Sequence, residues 1–305
     1  MTSRLRILKY PWHTAHDYEL AKLPHDFLYL SGTSREWSRK TRPIPANIRW
    51  VPTIESVKAD VMILHVDQWL WFDPAKRLLF EQLRDAFDGP KIIINHGCNM
   101  LDGCTSEQMQ TLVGDTMMVC NSVTAHRLWG VKNSRYIRHG MSPEEWPQTN
   151  HSKANVVVSQ AFSNRHAACR NPAWVRTLEK SVKVTWVGRD IKFPEFERYQ
   201  QFLRNSSIFF NPSFSSANPR ARTEAMLMGL VVVTTNMHEE EEYIRNGVNG
   251  FCSNDLEEIT DFIRYLKKNP RQAELIGAAG RETAQSHFHI DQFLDQWQRL
   301  LRDCL

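Results

Sequence analysis

Short apolar runs alternate with segments of helical periodicity along most of this 305-residue chain. Runs such as ADVMILHV at 59–66 and LVVVTT at 230–235 have the length and β-branched character of buried strands. Between 74 and 87, PAKRLLFEQLRDAF spaces its apolar residues by three and four, which predicts an amphipathic helix. Strands that alternate with crossover helices indicate an α/β fold with parallel sheets.

The alternating pattern occurs twice, so two Rossmann-like domains of about 150 residues each are expected. Pro143, Pro147 and the polar stretch NHSK separate the halves, which predicts a first domain at 1–150 and a second at 151–289. Strands are predicted at 4–10, 26–32, 59–66, 90–97, 116–122, 155–162, 182–188, 207–213 and 230–235. Helices are predicted at 74–87, about 105–113, 171–180, 195–204, just before 230, 255–268 and in a long region from about 270 to 305.

Composition excludes several classes of protein. Apolar residues make up 42% and charged residues 24%, as in globular proteins that are soluble in water. The longest apolar runs are far shorter than the roughly 20 residues of a membrane-spanning helix, and the first residues lack a signal-peptide apolar region, so a cytoplasmic location is expected. The six cysteines include no Cys-x-x-Cys pair, which favours reduced thiols over a zinc site or a disulfide framework.

The net charge of +4 is unevenly distributed. The segment SREWSRKTRPIPANIRW at 34–50 has five basic residues and one acidic residue, so it carries as much net charge as the whole chain. One interpretation is a solvated loop that Pro43 and Pro45 keep irregular. The other is a surface for a polyanion such as DNA, with stacking faces at its tryptophans. The residues concerned are Arg35, Glu36, Trp37, Arg39, Lys40, Arg42, Arg49 and Trp50.

Three ligand-binding motifs are absent from the sequence. Without Gly-x-Gly-x-x-Gly or Gly-x4-Gly-Lys-Ser/Thr, neither a dinucleotide-dependent dehydrogenase nor a P-loop ATPase is indicated. Without Asp-x-Asp, the chain has no obvious ligands for a metal that clamps a diphosphate, and no metal site is predicted. Any bound phosphate would therefore be held by basic side chains and backbone groups.

The segments FFNPSFSSANPRARTEAMLMGLVVVTT and EEEEYIRNGVNGF resemble the retaining glycosyltransferases of the GT-B fold, and within them glycosyltransferase family 4. They are similar to the Pro-Ser … Glu-Ala-Met-x-x-Gly-x-Pro-Val-Val block of that family and its downstream Glu-x-Ile-x-x-Gly-x-x-Gly. Weaker similarities follow the family order at INHG (94–97), VCNSVTAHRLW (119–129) and IRHGMSPEEW (137–146). The resemblance implies two parallel sheets that face each other across a cleft, with a last helix at about 290–305 that crosses back onto the first domain.

The resemblance assigns Glu224 to the ribose of a nucleotide. An ionised carboxylate can accept hydrogen bonds from both hydroxyls of a cis-diol, although an acid in a first helical turn is also common without any ligand. Eight residues earlier the family has a second glutamate that contacts the transferred sugar, and here Ser216 takes its place. A hydroxyl can bind a sugar but supplies no negative charge, so Ser216 puts donor choice or catalytic strength in doubt.

Four arginines are candidates for the donor diphosphate. Arg165 and Arg170 follow the strand at 155–162 with a spacing similar to the Arg-x4-Lys of the family. Arg189 ends the next strand, and Arg220 precedes Glu224 by one turn. Guanidinium groups suit bidentate phosphate contacts and can neutralise a leaving diphosphate without a metal.

Histidines near strand ends are the candidates on the acceptor side. His96 in INHG and His65 in LHVD end two strands, and His96 is predicted to take part in catalysis by contacting sugar or acceptor. His13, His16 and Asp17 follow the first strand, where the family shapes its acceptor loop. The alternative for that loop is an ordinary helix start, with Thr14 or Asp17 as the capping residue.

These features predict a retaining, metal-independent glycosyltransferase that moves a sugar from a nucleotide-diphosphate sugar to an acceptor hydroxyl. No cofactor is expected, because the nucleotide sugar is a co-substrate. The acceptor hydroxyl would belong to a glycan, a lipid or a small molecule. Alternatives are transfer to a hydroxylated base in DNA bound through 35–49, a sugar-nucleotide-binding protein without transferase activity, and a sugar-nucleotide epimerase.

Overall fold

The computed structural model forms two compact units, each with a parallel sheet. The first unit comprises Met1–Gly140 together with Ile290–Leu305, and the second comprises Met141–His289. The structure describes residues 4–33, 36–98, 104–151, 155–159, 171–214, 219–236 and 242–305.

The first unit has a seven-stranded parallel sheet in the order β3-β2-β1-β4-β5-β6-β7. The central strand, with the sequence VMILHV, is buried at all six positions, as expected for a strand that is covered on both faces. The seven strands are β1 (Arg6–Lys9), β2 (Asp26–Leu30), β3 (Ile48–Val51), β4 (Val61–Val66), β5 (Lys91–Asn95), β6 (Met117–Cys120) and β7 (Ser134–Tyr136).

Local signals in the sequence account for the helix starts of this unit. Asp73 caps the second helix and Pro74 opens it, while Thr105 and Gln108 form a reciprocal capping box at the start of the third. The helices are α1 (Thr14–Leu20), α2 (Pro74–Ala86), α3 (Ser106–Val113) and α4 (Val123–Trp129), and short 3-10 turns occur at Gln68–Trp71 and, in the second unit, at Pro143–Glu145.

The second unit has a five-stranded parallel sheet in the order β12-β11-β10-β8-β9. Buried apolar clusters cover it on both faces. Its strands are β8 (Val156–Ser159), β9 (Val184–Val187), β10 (Ile208–Asn211), β11 (Val231–Thr234) and β12 (Phe251–Cys252). Its helices are α5 (Pro172–Glu179), α6 (Phe196–Arg204), α7 (Arg220–Leu227), α8 (Leu256–Lys268) and α9 (Pro270–His287).

The last helix, α10 (Ile290–Asp303), belongs to the first unit. Phe293, Trp297, Leu300 and Leu301 are buried on it and join the apolar cluster beneath β1, β2 and β4. The chain end therefore contributes directly to the core of the N-terminal unit. None of the helices in the described residues is both long enough and apolar enough to span a bilayer.

A glycine makes the sharp connection from α7 to β11 possible. Gly229 has φ +81°, a left-handed conformation that favours glycine, and the Leu230 N–H donates to the carbonyl of Ala225 at 3.0 Å. Helix α9 packs closely on this turn, because a Cβ on Gly277 would lie 2.1 Å from the Gly229 carbonyl oxygen. The turn therefore requires small residues on both sides.

Candidate functional site

Polar and aromatic side chains gather at one edge of the first sheet. Strands β1, β4, β5 and β6 are neighbours in that sheet, so the segments that follow them lie side by side. Those segments carry Trp12 and His13 after β1, His96 after β5 and Asn121 after β6, while His65 is the penultimate residue of β4. The strand order thus brings together residues that are more than 100 positions apart.

Two of the predicted histidines are joined by a hydrogen bond. His65 Nδ1 lies 2.9 Å from His96 Nε2, and the Asn121 amide nitrogen lies 3.4 Å from His96 Nδ1. With that amide as the donor, His96 carries its proton on Nε2 and donates it to His65. His65 is fully buried and His96 half-buried, so His96 is the member of the pair that reaches solvent.

The other two predicted histidines pack against the same pair. The His13 ring is stacked on the His96 ring with the centroids 5.9 Å apart, and the His16 ring meets it edge-on at 5.4 Å. His13 is exposed, whereas His16 is buried and its ring also meets the Phe293 ring of α10 edge-on, with the centroids 5.6 Å apart. All four histidines that were predicted for the acceptor side and catalysis therefore occupy one cluster.

Asp17 lies beneath this cluster rather than at its surface. Its side chain is fully buried, with Oδ1 2.5 Å from Lys9 Nζ and Oδ2 accepting from the Trp12 N–H at 3.1 Å. Burial lowers the pKa of Lys9, and the charge of Asp17 opposes that shift. In this conformation Asp17 contacts protein groups, so its predicted place on the acceptor side is that of a supporting residue.

Three residues of the cluster were not singled out from the sequence. The Trp12 ring is stacked on the His65 ring at 5.8 Å, and Lys76 Nζ lies 5.0 Å from the centre of the Trp12 ring while it pairs with Asp67 at 3.1 Å. Asn121 lies at the end of the strand predicted at 116–122 and directly follows β6, which is a usable signal because strand ends in parallel sheets carry ligand-binding groups. Nothing in the sequence pairs Trp12 or Lys76 with these histidines.

The glycine of INHG explains how His96 is held. A Cβ on Gly97 would lie 1.5 Å from Gln68 Oε1, so a larger residue at this position would displace the end of the Gln68 side chain. The Gly97 carbonyl accepts from Trp129 Nε1 at 3.0 Å, and the His96 N–H donates to the Val66 carbonyl at 2.9 Å. The backbone on both sides of the imidazole is therefore fixed.

In the second unit, Glu224 lies in a helix whose residues are all buried. Its side chain is 6% exposed, and Tyr199 Oη approaches Oε2 at 3.5 Å. Glu224 is the fifth residue of α7, one turn beyond the helix start, so the interpretation as a first-turn acid does not apply. Arg220 precedes it by one turn and is 7% exposed, which places both side chains on the same side of the helix.

Arg189, the third predicted phosphate ligand, is engaged with two carboxylates. It donates to Glu179 from both terminal nitrogens and to Asp190 from Nε at 2.6 Å, and its guanidinium stacks 4.1 Å over Trp186. The hydrogen bonds to Glu179, and then those to Asp190, hold the pKa of Arg189 above its usual value. A phosphate at Arg189 would have to compete with both. The predicted residues Arg165, Arg170 and Ser216 lie outside the described residues.

The basic segment is partly absorbed into the fold. Trp37 is buried against Tyr29 and donates from Nε1 to the Arg42 carbonyl at 3.0 Å, and Arg42 is only 1% exposed. Trp50 keeps 43% of its surface exposed. Two of the groups invoked for DNA therefore serve the core of the first unit, and Arg39, Lys40, Arg49 and Trp50 remain at the surface.

The described residues contain no group of three or more histidine, cysteine, aspartate or glutamate side chains arranged to hold a metal ion. The five cysteines among them are free thiols. Burial raises the pKa of Cys120 to about 12, so this thiol stays protonated near neutral pH.

Comparison with known proteins identifies the second unit. Residues 143–269 match the family model described as Glycosyl transferases group 1. The chain carries a glycosyltransferase group 1 domain. The domain includes α7 with Glu224 and the turn at Gly229. A curated sucrose synthase from Thermosynechococcus vestitus is 31% identical over 115 residues, a segment that spans 35% of this chain and 14% of that protein.

Solved structures extend the similarity to both units. Sucrose-phosphate synthase from Thermosynechococcus elongatus superposes with a TM-score of 0.73 at 12% identity, covering 98% of this chain and 99% of the other. HepE from Anabaena, solved with UDP and glucose, superposes with a TM-score of 0.72 at 13% identity, covering 98% of this chain and 100% of the other. A glycosyltransferase from Rickettsia africae superposes with a TM-score of 0.67 at 14% identity, covering 99% of both chains. The predicted GT-B fold class is confirmed.

Proposed function

We propose that this protein is a retaining, metal-independent glycosyltransferase that moves a sugar from a UDP- or GDP-sugar to an acceptor hydroxyl. The observation that carries the proposal is the glycosyltransferase group 1 domain, which contains the buried carboxylate of Glu224. The GT-B fold of the whole chain is consistent with it. HepE, a protein of the same fold, has been solved with UDP-glucose, which makes UDP-glucose the first donor to test.

The donor half of the proposal assigns Glu224 to the ribose and arginines to the diphosphate. Both oxygens of a buried carboxylate can accept from a cis-diol, and such charge-assisted hydrogen bonds are about twice as strong as neutral ones. Arg220 lies on the same side of α7, and Arg165, Arg170 and Arg189 complete the predicted set. Guanidinium charge would stabilise the diphosphate as it leaves, so no metal is required.

The acceptor half assigns the hydroxyl of a glycan, lipid or small molecule to the histidine cluster. His96 would hydrogen-bond the sugar or the acceptor, with His13 at the exposed side. The bond between the anomeric carbon and the diphosphate oxygen breaks, and the acceptor oxygen bonds to that carbon on the same face. The acceptor proton passes to the departing diphosphate oxygen, so no protein base is needed.

The proposal is tested by incubating the protein with a panel of nucleotide sugars and measuring nucleotide diphosphate release with and without acceptors. Release that depends on an acceptor, and that EDTA leaves unchanged, is expected. NMR of the product should show the anomeric configuration of the donor. Tight nucleotide binding without release from any donor would instead establish a binding protein, the alternative that Ser216 favours. Conversion of the donor to its epimer would establish an epimerase.

Glu224→Ala tests the ribose assignment. Loss of hydrogen bonds from an ionised group costs about 1.5–3 kcal/mol, so nucleotide affinity should fall by roughly 10- to 150-fold in calorimetry. Glu282→Ala, at an exposed position of α9, is the matched control and should bind as the wild type does. Unchanged affinity in Glu224→Ala would remove Glu224 from the nucleotide site.

A further inference from the structure

The loop between β1 and α1 is held by a buried ion pair that the proposed reaction does not use directly. Lys9 ends β1 and Asp17 lies in α1, and both side chains are fully buried. Breaking such a pair leaves an uncompensated charge in the core, while replacing both members with apolar residues is often tolerated. Because a buried ion pair adds little net stability, the contacts that Lys9 and Asp17 make are the place to look for another role of the pair.

Asp17 uses its two oxygens for different purposes. Oδ1 meets the Lys9 ammonium at 2.5 Å, and Oδ2 accepts from the Trp12 N–H at 3.1 Å. The Asp17 N–H also donates to the His13 carbonyl at 2.9 Å. The carboxylate, oriented by Lys9, therefore ties the backbone of Trp12 to the first turn of α1, while the His13 carbonyl is held there by the Asp17 backbone N–H.

The Trp12 side chain connects this loop to the histidines. Its ring is stacked on the His65 ring with only 9° between the planes, and His65 Nδ1 is hydrogen-bonded to His96 Nε2. The titratable and charged groups around these two imidazoles, among the described residues, come from three places. Tyr10, between β1 and α1, meets the His65 ring edge-on at 5.1 Å between centroids, and His13 and His16 pack on His96 from the start of α1. The Lys76–Asp67 pair, from α2 and the residue after β4, lies beside the Trp12 ring. A displaced Trp12 ring would change the environment of both imidazoles.

We propose that Lys9 and Asp17 are positioning residues, which act through the Trp12 backbone and ring to set the hydrogen-bonded His65–His96 pair on the acceptor side. Asp17 would therefore affect acceptor use without touching the acceptor. The kinetic part of this inference rests on the proposed transferase function, whereas its structural part concerns the imidazoles themselves.

Two double variants separate positioning from stability. K9M/D17N and K9M/D17L both remove the two buried charges, and they differ only in the residue that replaces Asp17. An asparagine oxygen can still accept from the Trp12 N–H, but leucine cannot. An unsatisfied buried N–H costs at least about 1 kcal/mol. The ratio of molecules with Trp12 in its native position to those with Trp12 displaced should therefore be at least about fivefold lower in the Leu variant than in the Asn variant.

The readout is the NMR titration of the His65 and His96 imidazoles, followed on the full chain together with its melting temperature. The imidazole shifts and apparent titration midpoints should stay near wild type in K9M/D17N and change in K9M/D17L, both measured at a temperature at which the melting curves show the variants to be folded. The acceptor KM should rise more in K9M/D17L, with the donor KM unchanged. Identical imidazole titrations in both variants would overturn the proposal.

A further variant covers the case in which either double variant fails to fold. Trp12→Leu keeps the ion pair but removes the ring on His65, so it should shift the same imidazole signals. Unchanged signals in Trp12→Leu would also overturn the proposal. If the wild type transfers no sugar, the NMR result still decides the positioning role, so the failure of the two proposals can be told apart.

Discussion

Replacement of Gly277 by alanine should destabilise the second unit. The added Cβ would lie 2.1 Å from the Gly229 carbonyl oxygen, 3.1 Å from its carbonyl carbon and 3.2 Å from His151 Cε1, whereas ordinary contact begins at 3.4 Å. Two of these atoms are backbone, so no side-chain rotation relieves the overlap. Overpacking costs about 1–3 kcal/mol, and alanine regains about 1 kcal/mol of helix propensity. A value near 3 kcal/mol for the overlap leaves a net loss of about 2 kcal/mol.

The loss can be measured by calorimetry and urea denaturation. For a unit of this size, about 2 kcal/mol lowers the melting temperature by roughly 4–8 °C. Gln272→Ala, at an exposed position of the same helix, should stay within about 0.5 kcal/mol of wild type. Because Gly229 ends the turn after α7, displacement of Gly229 should also weaken nucleotide binding if the proposed assignment of Glu224 to the ribose holds. A Gly277→Ala protein as stable as wild type would refute the packing argument.

Two further predictions concern protonation. Burial lowers the pKa of His25 below 6.5, so the unfolded chain binds a proton more readily. The stability that depends on neutral His25 is present above about pH 6.5 and is lost as the pH falls from there toward the lower pKa of His25 in the folded protein. His25→Asn keeps an acceptor for the Leu5 N–H and removes the titrating imidazole. The urea midpoint of the variant should therefore change less with pH between about pH 7.5 and 5.5 than that of the wild type, and an unchanged pH dependence would contradict this. Cys104 and Cys120, whose pKa values burial raises to about 12, should resist alkylation in the native protein at about pH 8 and react in denaturant, as followed by mass spectrometry.

Periodicity was enough to place the central strands of both sheets. The runs predicted at 59–66, 90–97 and 230–235 contain β4, β5 and β11, because strands buried on both faces must be continuously apolar. The edge strands β3, β7 and β12 were missed. Strands β7 and β12 have only three and two residues, and β3 and β7 carry polar side chains that face solvent, so hydrogen bonding to a neighbouring strand defines these strands rather than hydrophobicity.

Helix α4 was missed, and α1 was considered only as an alternative with Thr14 or Asp17 as its cap, whereas the capping residue is His13. Helices α1 and α4 are seven residues long, which is too short for an apolar period to stand out. Each begins at a side-chain cap, His13 in α1 and Ser122 in α4. Tertiary packing stabilises them, since Ala15 and Leu20 in α1 and Ala125 and Trp129 in α4 are buried.

The sequence by itself determined the α/β class, the division into two sheets and the polar residues at strand ends, because these depend on local period and chain order. Only the tertiary structure decided which of those residues meet. The order of the strands in a parallel sheet decides which strand ends lie side by side. In the first sheet this order brings Trp12, His65, His96 and Asn121 together. Burial decided the rest: it made Asp17 a partner of Lys9 and enclosed Trp37 and Arg42, because a side chain's surroundings depend on elements that are remote in sequence.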